Sequence, residues 1–254
     1  MGQTFGAIES TPKIWDIAAA WPLLEELNCS IEWLEMNPMH LAAEQDLPEV
    51  KYGESENFKK YVPLTYKLIQ QILGGGVTET EHFVNWLAYI YQKKQKTMTA
   101  WILTGVPGTG KGLFVHKILK PLFGDAQVPM RSLENIEEQF NLYMRMALFL
   151  VVDEFRMGDS GNIGRMADKL KHQITEPTLT VRAMRANQVE LPSFCNFLFL
   201  TNRADAVKIE DGDRRFNLAP RQERKLDKTF PELLTRLEDL DKELYMLSGL
   251  LNLQ

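Results

Sequence analysis

Three short apolar runs, AWILTG at 100–105, ALFLVVDEF at 147–155 and CNFLFLTN at 195–202, are separated by segments whose apolar residues recur at helical spacing. Each run is too short for a buried helix and far below the roughly 20 apolar residues that span a bilayer. None alternates apolar with polar, so each reads as a strand covered on both faces, and strands joined through helices pair in parallel. The expected fold class is therefore α/β: a largely parallel sheet with helices around it. At 254 residues, 44% of them hydrophobic and 25% charged, the chain is long enough to close such a core and carry further helices.

The flanks read as helical. IWDIAAAWPLLEELNCSIEWLEM and NFKKYVPLTYKLIQQIL, divided by a charged stretch with Gly and Pro, suggest an N-terminal helical domain over 1–75. The core is expected over 76–225, opening with the helix HFVNWLAYIYQKKQK, for which Thr78 or Thr80 is a candidate cap. A C-terminal helix is expected over 226–254, with Pro231 in its first turn. There Leu233, Leu237, Leu240, Leu244, Leu247 and Leu251 form a seam, too short for a coiled coil and so expected to pack on the protein's own helices. Cys29 and Cys195 belong to no C-x-x-C pair, which argues against a disulfide framework or a zinc site. With no membrane-length run and no secretion-signal pattern, a soluble, cytoplasmic protein is expected, in the host cytoplasm if it is viral. The net charge of −5 restricts any nucleic-acid contact to a local patch.

Between the first strand and the helical GLFVHKILKPLF lies GVPGTGKG, Gly105, Val106, Pro107, Gly108, Thr109, Gly110, Lys111 and Gly112. Its first seven positions match G-x-x-x-x-G-K, a loop whose glycines let backbone N–H groups turn inward on phosphates while the lysine reaches the β- and γ-phosphates. The eighth position, ordinarily the Ser or Thr that holds magnesium, is Gly112, so Asp153, helped by Thr109 or water, would have to complete a metal shell. The second apolar run delivers Asp153 and Glu154 at its end, suited to ordering Mg2+ and activating water. The third ends in Asn202, an amide able to reach a γ-phosphate or a water. Arg214 and Arg215, in GDRRF, are the right chemistry for charge developing on a transferring phosphoryl group.

This order of motifs, together with FVNWLAYIYQ, LKHQITEPTLTV and LFLTNRADAVKIEDGDRRF, resembles the superfamily 3 helicases, in particular the phage- and poxvirus-type helicase domains of primases and primase-polymerases, over about residues 80–220. The resemblance implies a P-loop NTPase core of AAA+-like type, binding ATP and Mg2+. It casts Lys111, Asp153, Glu154 and Asn202 as catalytic, with Arg214 or Arg215 as a finger reaching a neighbouring subunit. It further implies a homo-oligomeric ring, hexameric by preference, that translocates on single-stranded DNA beside a primase or polymerase. At net −5 and without a partner domain, the isolated chain is also compatible with a monomer. Family members place a channel-facing hairpin between the acid pair and the Asn, and TLTV and QVEL around AMRAN fit it, with Arg182 and Arg185 offered to the DNA backbone and Lys169 and Lys171 as weaker candidates. Two alternatives stay open: a DNA-dependent ATPase that loads replication proteins without unwinding, and a catalytically weak nucleotide-binding assembly module.

Overall fold

The three apolar runs become β1 (Ala100–Thr104), β3 (Phe149–Asp153) and β6 (Asn196–Thr201), and they lie side by side. The structure, a computed structural model, describes residues 55–132, 142–154, 170–181, 189–203 and 212–253. The helices expected before residue 55, Cys29, Arg182, Arg185 and Lys169 lie outside the described residues. Two short strands, β2 (Met130–Ser132) and β7 (Phe216–Leu218), complete a five-stranded sheet of order β2-β3-β6-β1-β7. Every pairing in it is parallel, with Trp101 opposite Leu198 and Leu150 opposite Phe197.

Because side chains alternate across a strand, each central strand supplies both faces of the sheet. Trp101, Leu103, Phe149, Val151, Leu198 and Leu200 enter one hydrophobic cluster, while Ala100, Ile102, Leu150, Val152, Phe197 and Phe199 enter the other. This two-sided burial is why the runs carry no polar alternation. The first face is covered by α1 (Ser55–Tyr61), α2 (Pro63–Ile72) and α3 (Val77–Lys93). It is also covered by a helix that runs through α4 (Lys111–Phe114), a π-helical turn (Val115–Leu119) and α5 (Lys120–Phe123). From the C-terminal part come α6 (Leu226–Thr229), α7 (Pro231–Thr235) and α8 (Leu237–Leu253). The second face is covered by the helical stretch 170–175 and by the base of an antiparallel hairpin, β4 (Thr178–Val181) and β5 (Val189–Pro192), as TLTV and QVEL suggest.

Residues of α2 and of α8 bury their apolar side chains in the same cluster as β1 and β3. The leucine seam is part of it: Leu233, Leu240, Leu244, Leu247 and Leu251 are buried, so the seam packs on the chain's own helices. A second tie is polar. Pro63 opens α2 and Val62 offers no side-chain cap, but both carboxylate oxygens of Glu243 on α8 accept from the first turn, from Leu64 N at 3.0 Å and Thr65 N at 2.7 Å. That satisfies two of the N–H groups a helix start leaves open. The expected threonine cap of α3 is corrected: Gly76 occupies the cap position, and Thr80, buried one turn in, donates its hydroxyl back to Gly76 O at 2.6 Å.

Candidate functional site

In a parallel sheet every strand ends at the same edge, and β6, last of the three central strands in sequence, lies between β1 and β3. The chain therefore brings to that one edge the loop after β1, the acid pair after β3 and Asn202 after β6, at the edge where parallel α/β sheets bind ligands. Lys111, Asp153, Glu154 and Asn202 are thus brought together.

The loop is shaped by two glycines in left-handed backbone, Gly108 at φ 86° and Gly110 at φ 100°. A side chain at Gly110 would stand 2.9 Å from Leu68, and one at Gly105 2.8 Å from Gln222 O, so neither position has room for a Cβ. The N–H groups of Gly108, Thr109, Gly110 and Lys111 have no acceptor among the described residues, which leaves a row of donors of the type that holds anions. Lys111 is only 8% exposed. Its ammonium donates to Gly105 O at 2.9 Å, Val106 O at 3.4 Å and Thr109 Oγ1 at 3.1 Å, three acceptors of its own loop for its three N–H bonds.

Burial pushes the Lys111 ammonium down to about 8, the nearby Arg221 adds to the fall, and Asp153 opposes it. Above about pH 8 the empty loop therefore loses this charge, whereas a bound phosphate would hold the proton on. Affinity for any phosphate-bearing ligand of this loop is expected to weaken as pH rises from 7.5 to 9.5, by roughly tenfold per unit above the midpoint, with proton uptake on binding. Calorimetry in two buffers of different ionisation enthalpy checks this, and pH-independent binding would remove Lys111 from the phosphate.

Asp153 is half-buried and accepts from Glu154 N at 2.9 Å, while Glu154 is exposed and sits in left-handed backbone at φ 53°. That conformation is uncommon for a residue with a side chain and tends to occur where function requires it. Among the described residues no three His, Cys, Asp or Glu side chains gather as a metal cluster, so a metal at this edge would lean on Asp153, phosphate oxygens and water. A Cβ at Gly112 would meet nothing within 4 Å. Gly112→Ser is accordingly expected to fold normally and to lower the Mg2+ concentration needed for half-maximal nucleotide binding by a few-fold, which a Mg2+ titration measures.

Arg214 and Arg215 lie elsewhere. They precede β7, and since Phe216 pairs with Ala100 at the start of β1, both sit at the opposite edge of the sheet from the loop, about 16 Å away along a five-residue strand. Arg215 is committed within the chain: its N–H and Nη1 both reach Asp213, which also pairs with Lys171 at 3.5 Å. Burial pushes the Asp213 carboxyl up, but these partners outweigh it and hold the carboxyl below its usual range. Arg214 is exposed and has no ion-pair partner among the described residues. Lys171 is thereby occupied by Asp213.

The site also contains a segment that the motif reading did not include. Residues 219–226 run beside the loop: Gln222 N donates to Thr104 O at 3.0 Å, Val106 N to Gln222 O at 2.9 Å and Leu226 N to Gly108 O at 2.8 Å. Gln222 further donates to Gln71 O of α2, and Gln71 donates to Arg224 O, both at 2.8 Å. The strap carries Arg221, whose only mark in the sequence is the basic run PRQERK soon after GDRRF.

A parallel α/β sheet whose C-terminal edge carries a glycine loop able to hold an anion, a buried lysine and an acid pair defines the class. A family described only as of unknown function, DUF5906, matches residues 103–215, a span that begins in β1 and ends just before β7. The chain is similar to the DNA primase-polymerase of Nitratiruptor phage NrS-1, with 39% identity over 136 residues, which is 54% of this chain and 19% of that protein. Among solved structures, the apo C-terminal region (305–718) of NrS-1 matches with a TM-score of 0.70 and 28% identity over 85% of this chain and 48% of that one. An A-form apo structure of the same region matches at 0.67 and 28%, over 80% and 47%. The chain thus spans under a fifth of the curated relative and about half of the solved C-terminal region. No helix among the described residues is long and apolar enough to cross a membrane.

Proposed function

We propose that this chain is an ATP-dependent motor domain of DNA replication, a helicase domain of superfamily 3 type built on a P-loop NTPase core, acting in a ring on single-stranded DNA. The observation that carries the reading is the gathering of Lys111, Asp153, Glu154 and Asn202 around the loop 105–112 at one sheet edge. The similarity to a phage DNA primase-polymerase supports placing it in replication, next to primase or polymerase functions in the host cytoplasm.

In this reading the loop N–H groups and Lys111 bind the phosphates, exchanging loop carbonyls for phosphate oxygens. Mg2+, which supplies charge neutralisation between phosphates, would be held by Asp153. Glu154 accepts a proton from the attacking water, and Asn202 orients that water or the terminal phosphate. The hairpin β4–β5 leads to Arg182 and Arg185, proposed as DNA-backbone contacts. Phosphoryl transfer asks the protein mainly for placement and charge, so an arginine delivered by a neighbour makes turnover depend on assembly. The opposite-edge position of Arg214 and Arg215 fits delivery to another subunit and not to their own.

Of the two, free Arg214 fits the finger and Arg215 the structural role. Arg214→Ala is expected to lower turnover in the assembled form by about 10³-fold with nucleotide affinity kept. Arg215→Ala should instead lower the melting temperature, since it strips a partner from buried Asp213. A pair of turnover and melting measurements separates them, and the reverse pattern would exchange the roles.

The deciding experiment is Mg2+-dependent ATP hydrolysis with and without single-stranded DNA, with particle mass and strand displacement recorded. DNA-stimulated turnover with unwinding in a multi-subunit species supports the motor. Turnover without unwinding favours the loader, and an inert monomer refutes both.

A further inference from the structure

Arg221 reaches the site from an unexpected side. Its backbone belongs to the strap that extends β7, where Gln222 is paired in parallel with Gly105, so Arg221 stands level with the last residue of β1. The sheet order places β1 between β7 and β6. Yet Arg221 Nη1 donates to Asn202 O, at the end of β6, at 3.1 Å. The side chain therefore crosses the C-terminal end of β1 at the root of the loop, on the side where the proposed function puts the phosphates.

The guanidinium is also held in position without being used up. Nε donates to Glu223 Oε1 at 2.7 Å and one Nη1 hydrogen goes to Asn202, leaving three of its five N–H bonds without a partner among the described residues. Its side chain is 26% exposed. Arg215 cannot play this part, because it lies at the other end of the strands, where its Nη1 pairs with Asp213. Arg221 and Lys111 are moreover close enough to repel, which is one cause of the depressed lysine. Two neighbouring cations are relieved by a polyanion that binds both.

We propose that Arg221 is a nucleotide-binding residue acting within its own subunit, contacting the terminal phosphate with its free N–H groups and relaying the presence of that phosphate to Asn202 and β6. This rests on the nucleotide reading of the loop and adds a specificity to it: the triphosphate is distinguished from the diphosphate by an arginine in cis, apart from any finger in trans. A fork of donors suits the terminal phosphate, which offers several oxygens in one plane.

The test measures the affinities of MgATPγS and MgADP for wild type, Arg221→Ala, Arg221→Lys and Lys111→Ala, with melting temperatures recorded without nucleotide. Arg221→Ala is expected to weaken ATPγS by roughly 10- to 100-fold, as for loss of a charge-assisted contact, and to change ADP less than about twofold. Arg221→Lys should recover part of the ATPγS affinity, because charge is restored. Equal weakening of both nucleotides, or a loss that follows the melting temperature and is not rescued by lysine, would reduce Arg221 to a structural clamp and overturn the proposal. Unchanged affinities in Arg221→Ala, with Lys111→Ala losing both nucleotides, would overturn it and leave the nucleotide site standing. Wild type that binds neither nucleotide would overturn the nucleotide reading itself.

Discussion

Lys111→Ala is expected to abolish Mg2+-dependent ATP turnover, with a loss of at least about 10²–10³-fold, and to weaken both ATP and ADP. The size follows from the setting. Removing one preorganised donor from a shielded site costs about that much in known cases, and Lys111 supplies three N–H bonds and a full charge from a position that is 8% exposed. The fold should survive, since Lys111 bonds only acceptors of its own loop and the shorter side chain leaves room for water to take the place of the ammonium. A cooperative melt within a few degrees of wild type checks that. Retained turnover in a folded Lys111→Ala protein would mean that the loop is a tight turn with no phosphate role, and the edge constellation would then need a different substrate.

The second large effect is at Glu154. Glu154→Gln keeps shape and removes the basic carboxylate, so turnover is expected to fall by about 10²–10⁴-fold while ATP binding stays near wild type. Its exposed position and left-handed backbone make the experiment clean: no packing is disturbed, and glutamine can take the same backbone conformation at similar cost. Single-turnover kinetics with binding measured separately is the readout. Equal loss of binding and turnover would assign Glu154 to the phosphate or metal shell instead, and no loss would move proton acceptance to another group at the edge.

Much of the sheet was legible because of one physical fact, that a strand buried on both faces cannot afford polar alternation. β1, β3 and β6 therefore appear as uninterrupted apolar runs, and the residues that follow them necessarily meet at one edge once the strands are parallel. β7 was not legible, since its three residues, FNL, lie at the sheet margin and include an exposed leucine and a polar residue. The strap 219–226 was invisible for a different reason: backbone groups hold it to the loop, and these leave no mark in side-chain pattern. Arg221 was missed with it. Sequence order likewise could not place Arg214 and Arg215, whose distance from Asn202 is short along the chain although a full strand length separates them from the loop. The supposed threonine cap failed because Gly76 can serve as cap itself, which leaves Thr80 to bond inward.

The carboxylate of Glu243 on the first turn of α2 bears on how this chain can be divided. Gln92 of α3 also donates to Leu251 O at 2.8 Å, so the last helix fastens two of the early ones, α2 from its middle and α3 from near its C-terminal end. Any transplant of the sheet and its loop into another protein that stopped after β7 would leave α2 uncapped and strip Leu240, Leu244, Leu247 and Leu251 from the shared core. The smallest portable unit therefore runs through residue 251, because its last helix holds α2 and α3 in place.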